Sequence, residues 1–397
     1  MILAGGQGER LYPLTKDRAK AAVPFGGTYR IIDFTLSNCV NSGLRRIYVL
    51  TQYKSDSLNR HMRLGWDVLR PEIGEYIETR PPQQRMNGDW YLGTAHAIYQ
   101  NIYTLEHERP RYVIILGGDH VYRMDYSEML EAHIDAGAEL TVACVETPIS
   151  DAAGRLGVMT VDANMRAVAL REKPDHPRPE PGSSDTCLCS MGVYVFNTDA
   201  LVRGVIDDAK HDGAHDFARD VIPRMIEDGQ RVYAFPFRSN YWRDVGTLDA
   251  YWDAHMDLIS VQPAFDLYDL DWPVRGYAVP LPPVKTVFGG GSPGAPKAEV
   301  LNSLVCNGSI VSGAYVCDSV IGSDVRIEVG SRIEQSIVLD HTRIGRGVHI
   351  RRAIIDKHND IPDDARLGCD HSWDARHFSI SESGIVVMPK NMPFPPS

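Results

Sequence analysis

The sequence predicts an α/β fold with a mostly parallel sheet, followed by a parallel β-helix. Three observations carry this. Over the first 260 residues, short Val/Ile-rich runs alternate with amphipathic stretches of helical period. From Pro280 to Pro296 the chain is dense in proline and glycine, as a connector is. Beyond it, aliphatic residues recur every 17 positions.

The expected strands are Met1–Ala4, Arg46–Thr51, Tyr112–Leu116, Leu140–Val145, Val158–Val161, Val168–Leu170, Met191–Phe196 and Arg231–Pro236. Many are apolar on both faces, as in a sheet covered by helices on both sides. Expected helices are Thr28–Cys39, ending near Gly43, then Tyr126–Ala136, then Phe217–Asp228 with Asp216 as its N-cap. In the repeat, Leu304, Ile321, Val338 and Ile355 form one column. Ile310, Ile327, Ile344 and Ile361 form a second, and Val316, Ile333, Ile350 and Leu367 a third. Three short sides per turn, each with one inward aliphatic residue, describe a triangular solenoid. The expected division is 1–260, a connector 261–299, and 300–397.

The chain has 397 residues, enough for two domains, with 43% hydrophobic and 23% charged residues. The formal net charge of −11 excludes general binding to nucleic acid or to an anionic membrane. Seven cysteines at scattered spacings, with only Cys187 and Cys189 close together, read as reduced thiols. The opening has no basic stretch before an apolar run, and no apolar stretch reaches about 20 residues. The expectation is a soluble, cytoplasmic protein.

Four clusters carry chemistry. The first, Leu3-Ala-Gly5-Gly6-Gln-Gly8-Glu-Arg10-Leu11, follows a strand. It is neither a Walker loop nor a dinucleotide fingerprint. Its glycines let backbone approach a phosphate chain, and Arg10 and Lys20 supply positive charge. The second runs a buried strand into Gly117-Gly118-Asp119-His120, which puts a carboxylate at the sheet's ligand edge. A hard carboxylate there suits a magnesium ion shared with phosphates. The third is Glu172-Lys173-Pro174, placed to meet a second phosphate and sugar hydroxyls. The fourth is Tyr241-Trp242-Arg243-Asp244-Val245-Gly246-Thr247, an aromatic pair beside a second carboxylate. Taken singly, each cluster also reads as a tight turn, a solvated charge pair or core aromatics.

In this order, and with Phe25-Gly-Gly, Arg30-Ile-Ile-Asp-Phe, Thr51-Gln-Tyr, Trp90-Tyr-Leu-Gly-Thr-Ala and Ser190-Met-Gly-Val-Tyr, the clusters carry a resemblance nearly end to end. The chain resembles the sugar-phosphate nucleotidyltransferases, and among them the bacterial glucose-1-phosphate adenylyltransferase family. The resemblance implies a Rossmann-like nucleotidyltransferase sheet with a C-terminal left-handed β-helix. It implies Mg2+-dependent conversion of ATP and α-D-glucose 1-phosphate to ADP-glucose and pyrophosphate, the committed step of glycogen synthesis.

By the same resemblance Asp119 is the catalytic, magnesium-binding carboxylate and Asp244 the second metal ligand. Lys173 grips the sugar phosphate. Tyr91, Gly157, Glu172, Ser190, Asp216, Phe217 and Trp242 form the glucose 1-phosphate site. Leu3, Gly5, Gly6, Gly8, Arg10 and Lys20 form the triphosphate loop, with Gln83, Gln84, Gly93 and Thr94 toward adenine. Gln52 and Trp90 match positions of an allosteric relay. Candidate ligands of sugar-phosphate or nucleotide effectors are Arg30, Arg351, Arg352 and Arg376. The resemblance also implies a homotetramer. Tyr12 stands where enteric members carry an effector-binding lysine, which bears on effector identity. Two other functions stay open on sequence: transfer from another nucleotide or to another sugar phosphate, and a non-catalytic regulatory subunit.

Overall fold

The computed structural model describes residues 1–82, 90–238, 241–288 and 295–395. Its N-terminal half is built on nine strands: β1 (Ile2–Ala4), β2 (Arg46–Thr51), β3 (Tyr76–Arg80), β4 (Tyr112–Gly117), β5 (Leu140–Pro148), β6 (Val158–Val161), β7 (Ala167–Arg171), β8 (Thr186–Asn197) and β9 (Val232–Phe237). Their order is β7-β6-β8-β4-β1-β2-β3, with β5 pairing β8 and β9. Strands β4, β1, β2 and β3 run parallel to one another, as do β5 and β9. The long strand β8 runs antiparallel to β4, β5 and β6.

Every expected strand is present. Met191–Phe196 is the second half of β8, whose register on β5 shifts between Ser190 and Tyr194. That irregularity holds Gly192 at a φ of +68° and hides the strand's continuity from a periodicity reading. Strand β3 was not expected: Tyr-Ile-Glu-Thr-Arg is a polar edge strand with no apolar run to betray it.

Helix α1 spans Ile31–Asn41 and not Thr28–Cys39, because Tyr29–Arg30 is extended and Asp33 caps the Arg30 backbone. Helix α2 spans Tyr126–Asp135, with Asp125 as its N-cap. The expected helix from Phe217 opens instead as a wider turn over Phe217–Val221 and becomes α-helical only over Ile222–Glu227. Pro223 has no backbone N–H to close the ordinary turn there. Asp216 does cap this segment, accepting from the Ala218 and Arg219 N–H groups. Helix α3 spans Leu248–Leu258, with Thr247 as its N-cap.

The C-terminal quarter is a left-handed parallel β-helix with three faces of five, five and six short strands, the last face closing with Ser379–Ile380 antiparallel to Val386–Met388. Val316, Ile333, Ile350 and Leu367 stack in register, as do Ile327, Ile344 and Ile361, and Ile321, Val338 and Ile355. Two expected members are displaced by one residue. Val305, not Leu304, pairs with Ile321, and Val311, not Ile310, pairs with Ile327. The corner between Val311 and Val316 is one residue shorter than its successors, so that coil closes in 16 residues there. Turn positions also form ladders: Asp324, His341 and His358 all have positive φ and lie one coil apart.

The two halves share a core. Leu11, Leu14, Phe25, Phe34 and Tyr251 pack with Ile337, Leu339, Ile354, Ile385 and Val387 of the β-helix. Arg18 makes a bidentate ion pair with Asp356 across the junction at 2.9–3.1 Å, with both side chains buried. A buried pair of this kind adds little net stability, because desolvation offsets most of the attraction. All seven cysteines are unpaired thiols. No helix among the described residues is long and apolar enough to cross a membrane.

Candidate functional site

Parallel strands leave unpaired backbone and loop residues at their C-terminal edge, where α/β sheets collect ligands. Here β1 runs into Gly5-Gly6, β2 into Gln52 and β4 into Gly118-Asp119, so three loops meet over one cavity of about 700 Å³. Thr35 on α1 donates to the Gly117 carbonyl at 3.1 Å and fixes the end of β4. A two-stranded ribbon pairs Trp242–Asp244 with His120–Tyr122. That pairing brings the fourth sequence cluster against the second, over 120 residues away in the chain.

At the centre lies one cation between two carboxylates. Lys20 Nζ donates to Asp119 Oδ2 at 2.8 Å and to Asp244 Oδ1 at 3.1 Å. Lys20 itself is buried. Burial alone would lower its pKa, but Asp119 and Asp244 outweigh burial and raise it. Burial likewise pushes the Asp119 carboxyl up, yet Lys20 and then His120 hold it well below the usual carboxylate range. Lys20 and Asp119 are therefore both charged at neutral pH. Gly8, at a φ of +67°, lies behind it: a Cβ there would stand 2.9 Å from Lys20 Cβ.

The opposite wall is two interlocked turns. Lys173 N–H donates to the Leu156 carbonyl and Ser190 N–H to the Gly157 carbonyl. A Cβ at Gly157 would meet Glu172 Oε2 at 2.8 Å, so a side chain there would push that carboxylate aside. Glu172 and Lys173 stand 3.7 Å apart, both reaching the cavity. Lys173 adopts a left-handed backbone, with φ +50°, uncommon for a lysine and held by these turns. On a third side, Gln52 Oε1 accepts from Tyr91 N–H at 2.8 Å, and Thr94 Oγ1 donates to Asp216 at 2.8 Å.

Most of the sequence-derived residues meet here: Leu3, Gly5, Gly6, Arg10, Lys20, Gln52, Tyr91, Gly93, Thr94, Asp119, Gly157, Glu172, Lys173, Ser190, Asp216, Trp242 and Asp244 all line the cavity. Phe217 does not. Its ring is buried against Tyr194 and Phe196, and only its backbone N–H touches the site, through Thr94. Trp90 is largely exposed and outside the lining. Gln83 and Gln84 lie outside the described residues. Arg155 and Arg219 add two lining cations that sequence reasoning missed, because neither belongs to a glycine or carboxylate cluster.

Of the effector candidates, Arg30 alone lines a second cavity, about 390 Å³, at the junction of the two halves. Around it are Arg18, Arg60, Lys357 and Lys390. Arg351 and Arg376 are exposed on the β-helix side, and Arg352 lies over the Trp252 ring at 5.2 Å and contacts Ser383.

The donor set fits magnesium. Two hard carboxylates converge on one cation position, and magnesium characteristically takes one or two carboxylates plus phosphate oxygens and water. Among the described residues no group of three or more His, Cys, Asp or Glu forms a closed metal cage.

Residues 1–261 match the family model described as nucleotidyl transferase, and residues 282–388 that described as GlmU-like C-terminal hexapeptide. A glucose-1-phosphate adenylyltransferase of Rhodopirellula baltica is 50% identical, covering 98% of this chain and 89% of its own. Glucose-1-phosphate adenylyltransferase 2 of Alkalilimnicola ehrlichii is 48% identical over 99% and 93%. Glucose-1-phosphate adenylyltransferase 2 of Vibrio cholerae is 47% identical over 99% and 98%. With its catalytic half matched by the family model and its full length matched by such relatives, this chain belongs to the nucleotidyl transferase family.

Proposed function

We propose that the protein transfers the adenylyl group of ATP to α-D-glucose 1-phosphate, giving ADP-glucose and pyrophosphate, as the committed step of glycogen synthesis in the cytoplasm. The observation that carries it is the charge arrangement. A Lys20–Asp119–Asp244 triad and a Glu172–Lys173 pair face one cavity from opposite walls. One wall suits a triphosphate and the other a sugar phosphate.

A phosphate oxygen of glucose 1-phosphate attacks the α-phosphorus of ATP. A new P–O bond forms, and the bond from the α-phosphorus to the bridging oxygen breaks in line. The nucleophile is already anionic, so the chain has no proton to remove. Its task is to hold two anions together. Lys173 binds the sugar phosphate, and Arg10 and Lys20 meet the triphosphate. Glu172, Ser190, Tyr91 and Asp216 orient the hexose by accepting from or donating to its hydroxyls. Asp119 and Asp244 would hold magnesium, which when bound would supply charge neutralisation on the phosphates.

The test is pyrophosphate release with glucose 1-phosphate, magnesium, and ATP, UTP, GTP or dTTP in parallel. ATP is expected to dominate. Preference for another nucleotide changes the substrate but keeps the mechanism; silence with all four from folded protein leaves a regulatory subunit. The Arg30 cavity is the proposed site for an anionic effector of sugar-phosphate or nucleotide type. A homotetramer is the proposed assembly; light scattering on the intact protein should give about four chain masses, and a monomer mass would refute it.

A further inference from the structure

The junction cavity contains a feature that the substrate chemistry does not use. His341 and His358 sit at equivalent turns of successive coils, with φ of +58° and +59°. Their rings are stacked, 4.9 Å between centroids and 6° from parallel. Both line the cavity.

The charges facing the pair come from four elements. From the N-terminal loops come Asp17, Arg18 and Arg30, and from the helix opening at Asp56 come Asp56 and Arg60. The β-helix contributes Lys357, and the C-terminal segment Lys390. Behind the stack, Asp324 accepts from His341 Nδ1 at 2.9 Å and also pairs with Arg343.

Several of these charges are already committed. Arg18 is bound to Asp356, Lys357 to Asp340, and Arg30 to the Ser57 carbonyl and hydroxyl. Among the described residues, Arg60 and Lys390 carry no such ion pair. Among the described residues no carboxylate is hydrogen-bonded to the His358 ring, and Asp340, which favours its charged form only weakly, is paired with Lys357. Burial, then His341, Lys390 and Lys357, hold it below the ordinary histidine value. A stacked imidazole beside two lysines is costly to protonate until an anion enters.

We propose that the stacked His341–His358 pair makes anion capture in this cavity proton-linked, so that binding of a phosphate- or sulfate-class dianion takes up a proton on the pair. This rests on the junction cavity being the effector site. The dianion brings the negative charge that His358 lacks, so the protonated form is favoured in the complex and disfavoured without it. Linkage then requires tighter binding as pH falls through the imidazole range. Effector response in this protein becomes a function of pH, through residues remote from the reacting atoms.

Sulfate is the probe, because it keeps its charge over this range whereas phosphate monoesters titrate near pH 6. Calorimetric titration of the intact protein should show sulfate bound roughly tenfold more tightly at pH 6 than at pH 8. In buffers of different ionisation enthalpy, it should show net proton uptake near pH 7. His358→Asn, which tolerates a left-handed backbone, should keep binding at pH 8 and lose most of the pH dependence. Lys390→Ala should weaken sulfate binding at both pH values. If Lys390→Ala leaves binding unchanged, the cavity is not the anion site, and the effector reading and the proton linkage fall together. If Lys390→Ala weakens binding but wild-type affinity is flat with pH, or His358→Asn keeps the full slope, the cavity reading stands and the linkage is overturned.

Discussion

Asp119→Asn is expected to lower kcat by about three orders of magnitude, the scale for losing one preorganised charge at a reacting phosphate. The substitution keeps the side chain's shape and leaves an oxygen to accept from Lys20 Nζ, now 2.8 Å away. It removes one of the two negative charges that Lys20 balances. In its proposed role the residue is a magnesium ligand, which the substitution removes while the fold keeps its cores. Steady-state kinetics with a thermal melt on the same sample checks this. Near-normal turnover from folded protein would remove Asp119 from its proposed role. The acid side of the pH profile carries a linked expectation. The Asp119 pKa is depressed, so its charged form is fully present above the ordinary carboxylate value and is lost only as pH falls through the depressed one. Activity should therefore show no Asp119-dependent fall between about pH 7 and pH 5.

How much of this was legible in the chain depends on whether the signal was local. The strands β1, β2 and β4 were legible because buried parallel strands are apolar runs, and the loops after them carry the glycines. Strand β3 was not, since an edge strand needs no apolar run. The β-helix columns were legible from their period. The one-residue error at Leu304 and Ile310 arose because each is followed by a valine that fits the inward position equally well. In the site, each cluster was visible but its partners were not. Lys20 and Asp244 are 224 residues apart, and the Trp242–Asp244 ribbon on His120–Tyr122 is what sets Asp244 at this edge of the sheet. Phe217 shows the converse. A motif residue beside Asp216 was placed in the sugar site, whereas its ring fills the core and its neighbour's carboxylate does the facing. Arg155 carried no motif at all. It reaches the cavity because Gly154 N–H is tied to the Pro174 carbonyl, which folds one turn onto the other.

That turn-on-turn construction sets the second large effect. Lys173→Gln is expected to raise KM for glucose 1-phosphate by about 10- to 100-fold, the cost of losing a charge-assisted hydrogen bond of roughly 1.5–3 kcal/mol. KM for ATP should stay within about twofold, because the proposed triphosphate ligands are other lining cations, Arg10 and Lys20. Stability should change little, since the Lys173 side chain is 41% exposed and its contact with Glu172 is long, at 3.7 Å. The backbone is what holds the residue: its left-handed φ and its N–H bond to Leu156 persist in the variant. The charge is thus removed while its platform remains. Lys173→Arg should recover part of the affinity through its charge but not all, because a planar fork replaces a compact ammonium. Equal rises in KM for both substrates would mean that Lys173 acts on the whole cavity and not on the sugar phosphate, and the division of the site into two walls would fail with it.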